Sequence, residues 1–307
     1  MAVFLPTRDR GATPAAAVRS ILAAGGPLSE IVVIDQSRDD RTVAALAPFL
    51  DDPRLTLLRS RSAGLARARN EGFAACRSEL VAMTDDDCEA TPGWLAALAD
   101  VFASDDRIGV VFGSVLAADY DPGVGFVPAY TVPGRRVDRG RDPRRRIDGI
   151  GACMAIRRRT WVEIGGFDEF LGAGARFRAA DEGDFALRAL AAGWYVGETP
   201  EGAVIHHGFR PWAEAEELVR GYARGTGAMM AKHLRRRTGG APRLLSRMAW
   251  SWVRGRTHEA ARLDGTPHRL LRLGAFAGGF AEGLRLPVDP ASCRYEPSTS
   301  TPREVST

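Results

Sequence analysis

Four short apolar runs, separated by helix-forming stretches, limit what the first hundred residues of this 307-residue chain can become. Val3-Phe4-Leu5, Ile31-Val32-Val33-Ile34, Leu55-Thr56-Leu57-Leu58 and Leu80-Val81-Ala82-Met83 read as strands. The second is an unbroken β-branched run, the pattern of a strand covered on both faces. Thr13-Pro14 supplies an N-cap and a first-turn proline, and the helix from Ala15 to Ala24 stops at Gly25-Gly26. A weaker helix covers 39–50, and others cover 64–76 and 92–103. This alternation predicts an α/β fold with a mostly parallel sheet. Ligands of such sheets gather at the carboxyl ends of the strands. Asp9, Asp35 and Asp85 to Asp87 lie just past strand ends, which directs them towards one crevice.

Regularity weakens after another strand at 108–117. Residues 134–146 hold seven arginines, two aspartates and one proline, and a mobile surface loop is expected there. A strand is expected at 151–156, a short helix at 161–166 and a firm helix at 181–192, ended by Gly193. From Pro211 the chain reads as helical, over 211–237, 244–253 and 269–284. The stretch from Pro287 to Thr307 is rich in Pro, Ser and Thr and is expected to be a disordered tail.

A hydrophobic content of 45% supports a substantial core. The net charge of +4 suits an anionic ligand, a nucleic acid or an acidic membrane and selects none of them. No DNA- or RNA-binding motif is present, nor aromatics interleaved with the basic runs, so nucleic acid is disfavoured. Arg144 to Arg146, Arg157 to Arg159 and Arg235 to Arg237 read first as solvated faces, with a grip on phosphate or anionic lipid as the functional alternative. Cys76, Cys88, Cys153 and Cys293 form neither a disulfide framework nor a zinc pattern, and a reducing cytoplasm is the simplest expectation. The N-terminus lacks a signal-peptide layout, and no apolar stretch reaches the roughly 18–20 residues that span a bilayer.

The chemistry concentrates in Thr84-Asp85-Asp86-Asp87-Cys88. Adjacent carboxylates repel, whereas Mg²⁺ is held by one or two carboxylates plus substrate phosphates. The competing role is helix capping before Thr91-Pro92-Gly93-Trp94, but Thr91 can cap that helix and the acids come too early. A second cluster, Asp181-Glu182-Gly183-Asp184, opens a helix, where its dipole favours acids. Asp184 and Arg188 are spaced for an i,i+4 pair. A carboxylate of this cluster is suited to deprotonate a hydroxyl. Arg67, Arg69 and Asn70 suit either a diphosphate contact or a solvated basic face. His206-His207 follow a short strand, and a neutral imidazole there could complete a metal shell.

Six motifs then fall in order: Phe4-Leu5-Pro6-Thr7-Arg8-Asp9-Arg10, Val33-Ile34-Asp35-Gln36-Ser37, Ala68-Arg69-Asn70-Glu71-Gly72, Asp85-Asp86-Asp87-Cys88, Gly165-Gly166-Phe167-Asp168-Glu169 and Asp181-Glu182-Gly183-Asp184. Over about residues 3 to 210 the chain resembles the family 2 glycosyltransferases with the GT-A fold. The resemblance implies a Rossmann-like, mostly parallel mixed sheet flanked by helices, with a helical C-terminal extension. It implies a catalytic domain over 1–210, with a nucleotide-sugar half at 1–117 and an acceptor half at 147–210, then a helical region at 211–286. It also implies a nucleoside-diphosphate sugar (UDP-, dTDP- or GDP-linked), a divalent cation (Mg²⁺ or Mn²⁺) and an inverting displacement.

Carried over by position, Pro6, Thr7, Arg8 and Asp35 would bind the nucleotide, and Arg69 and Asn70 would lie near the diphosphate. The acid triplet looks like the DxD motif, with Asp87 on the metal, Asp85 a second metal candidate, and Asp86 or Asp85 nearer the ribose. His206 or His207 resembles a late histidine near the metal. Gly151, Ala152, Cys153, Gly166, Phe167, Asp168 and Asp184 would form the acceptor side. Two departures stand out. Gln36 replaces the usual glycine, and the usual Glu-Asp pair reads Asp181-Glu182. Anchoring on Asp184 and Arg188 places Glu182 at the general-base position, with Asp181 second.

Two other readings compete. A sugar-1-phosphate nucleotidyltransferase should carry a glycine-rich GxGTR-like loop where this chain has Pro6-Thr7-Arg8-Asp9-Arg10-Gly11. A non-catalytic nucleotide-sugar-binding or membrane-associated protein would lack the base. The helix near Leu270 to Leu284, flanked by Arg269, Arg272 and Arg285, could lie on a membrane surface, though packing on the catalytic domain is preferred. The pattern carries no signal of oligomeric state.

Overall fold

A computed structural model describes residues 1–140, 149–238 and 266–297 of the chain. The four apolar runs form β1 (Ala2–Thr7), β2 (Glu30–Asp35), β3 (Leu55–Arg59) and β4 (Leu80–Met83). Between them lie α1 (Thr13–Ala23), α2 (Arg41–Leu46) and α3 (Leu65–Ala75). Next come β5 (Cys88–Ala90), α4 (Trp94–Ala103), β6 (Ile108–Ala117), β7 (Gly125–Phe126), β8 (Arg136–Asp138), β9 (Met154–Arg157), α5 (Arg158–Ile164) and α6 (Asp181–Ala191). The described chain closes with β10 (Tyr195–His206), β11 (Arg210–Pro211), α7 (Trp212–Arg235) and α8 (Thr266–Arg285).

The central sheet runs β3-β2-β1-β4-β9-β6-β10-β5, with β8 also on β10. Its first four strands are parallel, as the alternation requires; β9 enters antiparallel between β4 and β6 and makes the sheet mixed. Thr7 pairs with Asp35 and Phe4 with Met83, so β1, β2 and β4 finish along one edge. Strand periodicity sorts the core into two layers. Val3, Leu5, Ile31 and Val33 pack with α1 and α4 residues such as Ile21 and Trp94. Phe4, Val32 and Ile34 pack on the other face with Phe73 and Phe185. Each such buried Val or Ile contributes roughly 1.5–3 kcal/mol of transfer free energy.

The structure corrects several local expectations. The residue preceding α4 is Gly93 in the left-handed region, and Thr91 instead donates from Oγ1 to the Ala203 carbonyl at 2.7 Å. Part of the expected 134–146 loop is strand β8, which pairs with β10; residues 141–148 lie outside the described residues. The expected disordered tail is packed at its start: Val288 bridges Tyr295, and both are buried against Met230 and Phe177. Residues 298–307 and the expected helix at 244–253 lie outside the described residues.

α8 packs mainly along α7, and its contact with the 1–210 region, where packing was preferred, includes Glu282 at 2.6 Å from Arg176. Glycines allow the close approach, because a Cβ on Gly227 would sit 2.9 Å from the Phe280 amide nitrogen. The other face of α8 exposes Leu270, Leu273 and Leu284. Among the described residues, no helix is long and apolar enough to cross a membrane.

Candidate active site

Between β4 and β5 the chain turns through Thr84 to Asp87, and it is this turn that concentrates charge at the carboxyl edge of the sheet. Asp86 accepts a hydrogen bond from Thr7 Oγ1 at 2.6 Å and lies 3.4 Å from Arg10 Nε. Asp87 accepts from Arg10 Nη2 at 2.9 Å, and its Oδ1 is 3.3 Å from His206 Nε2. Burial pushes the Asp86 carboxyl up to about 6, more than Thr7 and Arg10 lower it. Asp85 is also raised, by burial first and by Asp87 after it, against the pull of Arg69. Asp87 goes the other way: burial is outweighed by His206 and Arg10, which hold it below the ordinary range.

His206 sits between the Pro128 carbonyl, 2.8 Å from Nδ1, and the Asp87 carboxylate. A neutral ring that donates Nδ1–H to Pro128 turns the Nε2 lone pair onto a carboxylate oxygen. Two acceptors facing one another need a proton or a cation between them. The ring is correspondingly raised: burial lowers it, but the Asp87 and Pro128 hydrogen bonds win. A backbone carbonyl behind the ring is also the usual support of a metal-ligating histidine. Asp87, Cys88 and His206 offer ligand atoms within 4.8 Å of one another. Cys88 is the poor member, because burial drives its thiol far up and it packs in the core at the start of β5. Gly208 leaves this pocket open, since a Cβ there would overlap His206 Nε2 and stand 2.9 Å from Asp87 Oδ2. Carboxylate and imidazole donors at a turn of three adjacent acids fit a divalent cation. The His207 ring, by contrast, is exposed with Nε2 3.3 Å from Glu89, and only its backbone N–H meets Asp87, donating to that residue's carbonyl at 2.8 Å.

On the other side of the acid turn, Arg69 crosses from α3 towards α6. Its guanidinium is 3% exposed, donates to Asp181 and lies 3.9 Å from Asp85, with Phe167 beneath it at 5.6 Å. Gly151 makes the passage possible, because a Cβ there would stand 2.9 Å from Arg69 Cζ. Arg69 therefore ties the acid turn to the first turn of α6. Glu182 follows Asp181 and is only partly buried. Burial and the Asp181 charge raise it to about 8, with Arg69 pulling it back down.

Several expected site residues hold the scaffold instead. Asn70 spends its amide on the Phe167 backbone, accepting from its N–H at 2.8 Å and donating to its carbonyl at 3.1 Å, so it is not turned to a diphosphate. Gly166 accommodates Asn70, with a Cβ there standing 2.7 Å from Asn70 Oδ1. Ala152, Cys153 and Phe167 are fully buried and present no acceptor surface; the Cys153 thiol lies between Trp94 and the Gly202 carbonyl. Asp168 and Asp184 are likewise 0% exposed, paired with Lys232. At the nucleotide end, Pro6 is buried in β1, and Arg8 is exposed beside Asp9 at 3.7 Å. Asp35 is fully buried. Its Oδ1 accepts from the Ser37 N–H at 2.9 Å, and its Oδ2 has no hydrogen-bond donor among the described residues, with Arg59 Nε 3.4 Å away.

Arg10, Lys232 and His233 were not singled out from the sequence. Arg10 lies inside the first motif but was given no role of its own. Lys232 had a signal in plain sight, as the only lysine in the chain.

The family model described as Glycosyl transferase family 2 matches residues 2–164. O-antigen biosynthesis protein RfbC of Myxococcus xanthus is 28% identical over 151 residues, covering 49% of this chain and 11% of that protein. Polypeptide N-acetylgalactosaminyltransferase 13 of Rattus norvegicus is 26% identical over 233 residues, covering 68% of this chain and 40% of that one. The chain thus spans well under half the length of these curated relatives. Among solved structures, mannosyltransferase PcManGT from Pyrobaculum calidifontis, in complex with GDP-Man and Mn²⁺, has a TM-score of 0.60 at 19% identity, covering 92% of this chain and 86% of that one. TarS residues 1–349 from S. aureus has a TM-score of 0.58 at 15% identity, covering 92% and 81%. GalNAc-T7 with UDP, GalNAc and Mn²⁺ has a TM-score of 0.50 at 19% identity, covering 67% and 42%. These likenesses show the fold, the GT-A arrangement expected from the sequence.

Proposed function

This chain belongs to glycosyl transferase family 2, and on that premise we propose that it moves a sugar from a nucleoside-diphosphate donor to an acceptor hydroxyl in one inverting displacement. The observation that carries the reading is the Arg69 bridge. It couples the acid turn, where a cation and diphosphate fit, to the turn of α6 that bears Glu182.

Asp87 and His206, with Asp85 beside them, would hold a divalent cation. When bound, that ion supplies positive charge against the leaving diphosphate. PcManGT and GalNAc-T7 both hold Mn²⁺ with their ligands, which supports this choice. At the nucleotide end, a buried carboxylate oxygen without a donor calls for a partner. Asp35 Oδ2 is such an oxygen, and a nucleobase N–H is a donor of the kind it lacks. Arg10, 43% exposed above Asp86 and Asp87, is free to turn towards phosphate oxygens.

Glu182 takes the acceptor proton. A base raised to about 8 is well matched to a hydroxyl whose proton it must hold in the transition state. Asp181 stays engaged with Arg69 and orients the turn, which leaves Glu182 as the carboxylate with access to the acceptor.

The test offers UDP-, GDP- and dTDP-sugars with Mn²⁺ or Mg²⁺ and follows donor consumption. NMR then reads the anomeric configuration of the released sugar. One donor should be consumed with inversion, and Glu182→Gln should lower the rate about 10²–10⁴-fold. Retention, or full activity in Glu182→Gln, would refute the assignment.

A further inference from the structure

Among 42 basic residues the chain has a single lysine, Lys232, and α7 carries it into full burial. Its ammonium bonds Asp168 and lies 2.8 Å from Asp184 Oδ1, with the Tyr295 ring 5.3 Å away. Asp184 also accepts from Arg188 Nε and lies 2.8 Å from His233 Nε2. Asp168 is completed by the Phe170 and Tyr295 backbone N–H groups at 3.0 and 2.9 Å. Arg188 donates onward to the Ile164 and Gly166 carbonyls. Burial lowers the His233 ring, so it stays neutral and donates from Nε2 to Asp184. Two carboxylates then face two cations, with no charge left over. A compact ammonium fits between two carboxylates where a planar guanidinium would not.

Asp184 lies two residues past Glu182, on the same first turn of α6. The entry to that turn is strained, with Arg178 at φ 60° and Ala180 at φ 74°. Left-handed conformations at such residues persist only where the surroundings impose them. α7 is what lies against this segment. A Cβ on Gly225 would stand 2.8 Å from both the Phe177 and Ala179 carbonyls, and Arg224 donates to the Arg176 carbonyl at 3.1 Å. All these α7 residues lie beyond the stretch matched by the family model.

We propose that α7 acts through the buried Lys232–Asp184–Asp168 cluster and the Gly225 contact to position the Glu182 turn, making Lys232 a positioning residue for transfer. The inference rests on Glu182 being the base. The donor half, built on β1, β2 and β4, lies outside this cluster. The signature of a positioning role is therefore a fall in kcat while the donor's affinity stays put.

The test uses the full chain. Lys232→Met should remain folded by circular dichroism, lower kcat 10- to 100-fold and change the Kd of the nucleoside diphosphate with Mn²⁺ less than twofold. The double variant Asp168→Asn/Lys232→Met restores the charge balance and should recover most of that loss. Should Lys232→Met fail to fold, Gly225→Ala tests the same contact without altering charge, and a kcat fall of at least fivefold is expected. A folded Lys232→Met, or Gly225→Ala, with kcat within twofold of the unaltered protein overturns the proposal. So does an equal loss of donor affinity. Activity that survives Glu182→Gln would instead remove the base assignment, a separate failure.

Discussion

Replacing Arg69 with methionine isolates the bridge on which the site depends. The guanidinium and Asp181 are each only 3% exposed, and Asp85 is 3.9 Å away on the other side. Methionine keeps the packing over Phe167 but leaves a buried carboxylate without its counter-charge. Breaking one partner of a buried pair costs about 3–5 kcal/mol, a large share of the roughly 5–15 kcal/mol that holds a domain folded. Part of the loss stems from Asp181 itself, so Arg69→Met/Asp181→Asn should be more stable than Arg69→Met alone. A double-mutant cycle by urea unfolding should return a coupling of about 2–4 kcal/mol. Arg69 also pulls the Glu182 pKa down, so its loss should move the acid limb of the rate profile to higher pH. A cost for Arg69→Met below about 1 kcal/mol, or a double variant no better than the single, would refute the view that this guanidinium holds the two acidic turns together.

Other consequences are separable. Glu182 keeps its proton to about pH 8 when folded, whereas its ordinary value is 4.5. Its burial therefore costs nothing below pH 4.5 and increasingly more up to pH 8; Glu182→Gln should be more stable than the unaltered chain by on the order of 2 kcal/mol at pH 8, converging with it near pH 4, in paired melting curves. Gly208→Ala places a methyl against His206 and Asp87; Mn²⁺ affinity by titration calorimetry should fall about 10–100-fold while the melting temperature without cation stays nearly unchanged. Ala180→Gly relieves the φ 74° strain and should leave stability equal or raise it by about 0.5–1 kcal/mol, whereas Ala180→Val should lower it.

Legibility followed the physics of locality. The strands of the parallel half and the i,i+4 pair of Asp184 with Arg188 depend on neighbours in sequence, and both read correctly. The acid turn at the end of β4 was visible because a strand end is a local event. Which side chains face solvent is set by partners far along the chain, and there sequence reading failed. Asn70 meets Phe167 across 97 positions, and Asp168 meets Lys232 across 64. No spacing rule exposes such pairs, so the engagement of Asn70 with the Phe167 backbone and of Asp168 with Lys232 was not legible in the sequence. The packed stretch at Val288 to Tyr295 was missed because its composition resembles a flexible tail, while its place comes from distant partners: the Phe170 and Phe177 rings and the Asp168 carboxylate that meet Tyr295. The close contact of α7 and α8 was hidden for the opposite reason: glycines, which read as weak helix formers, are what permits it.

The central claim is that Asp87 and His206 hold a divalent cation on which donor binding depends. Thermal unfolding with a panel of nucleoside diphosphates, with and without Mn²⁺, addresses it directly in the unaltered chain and in Asp87→Asn. One nucleotide should raise the melting temperature by several degrees only when the cation is present, and Asp87→Asn should abolish that rise. A nucleotide that stabilises both proteins equally in the presence of chelator would contradict the account.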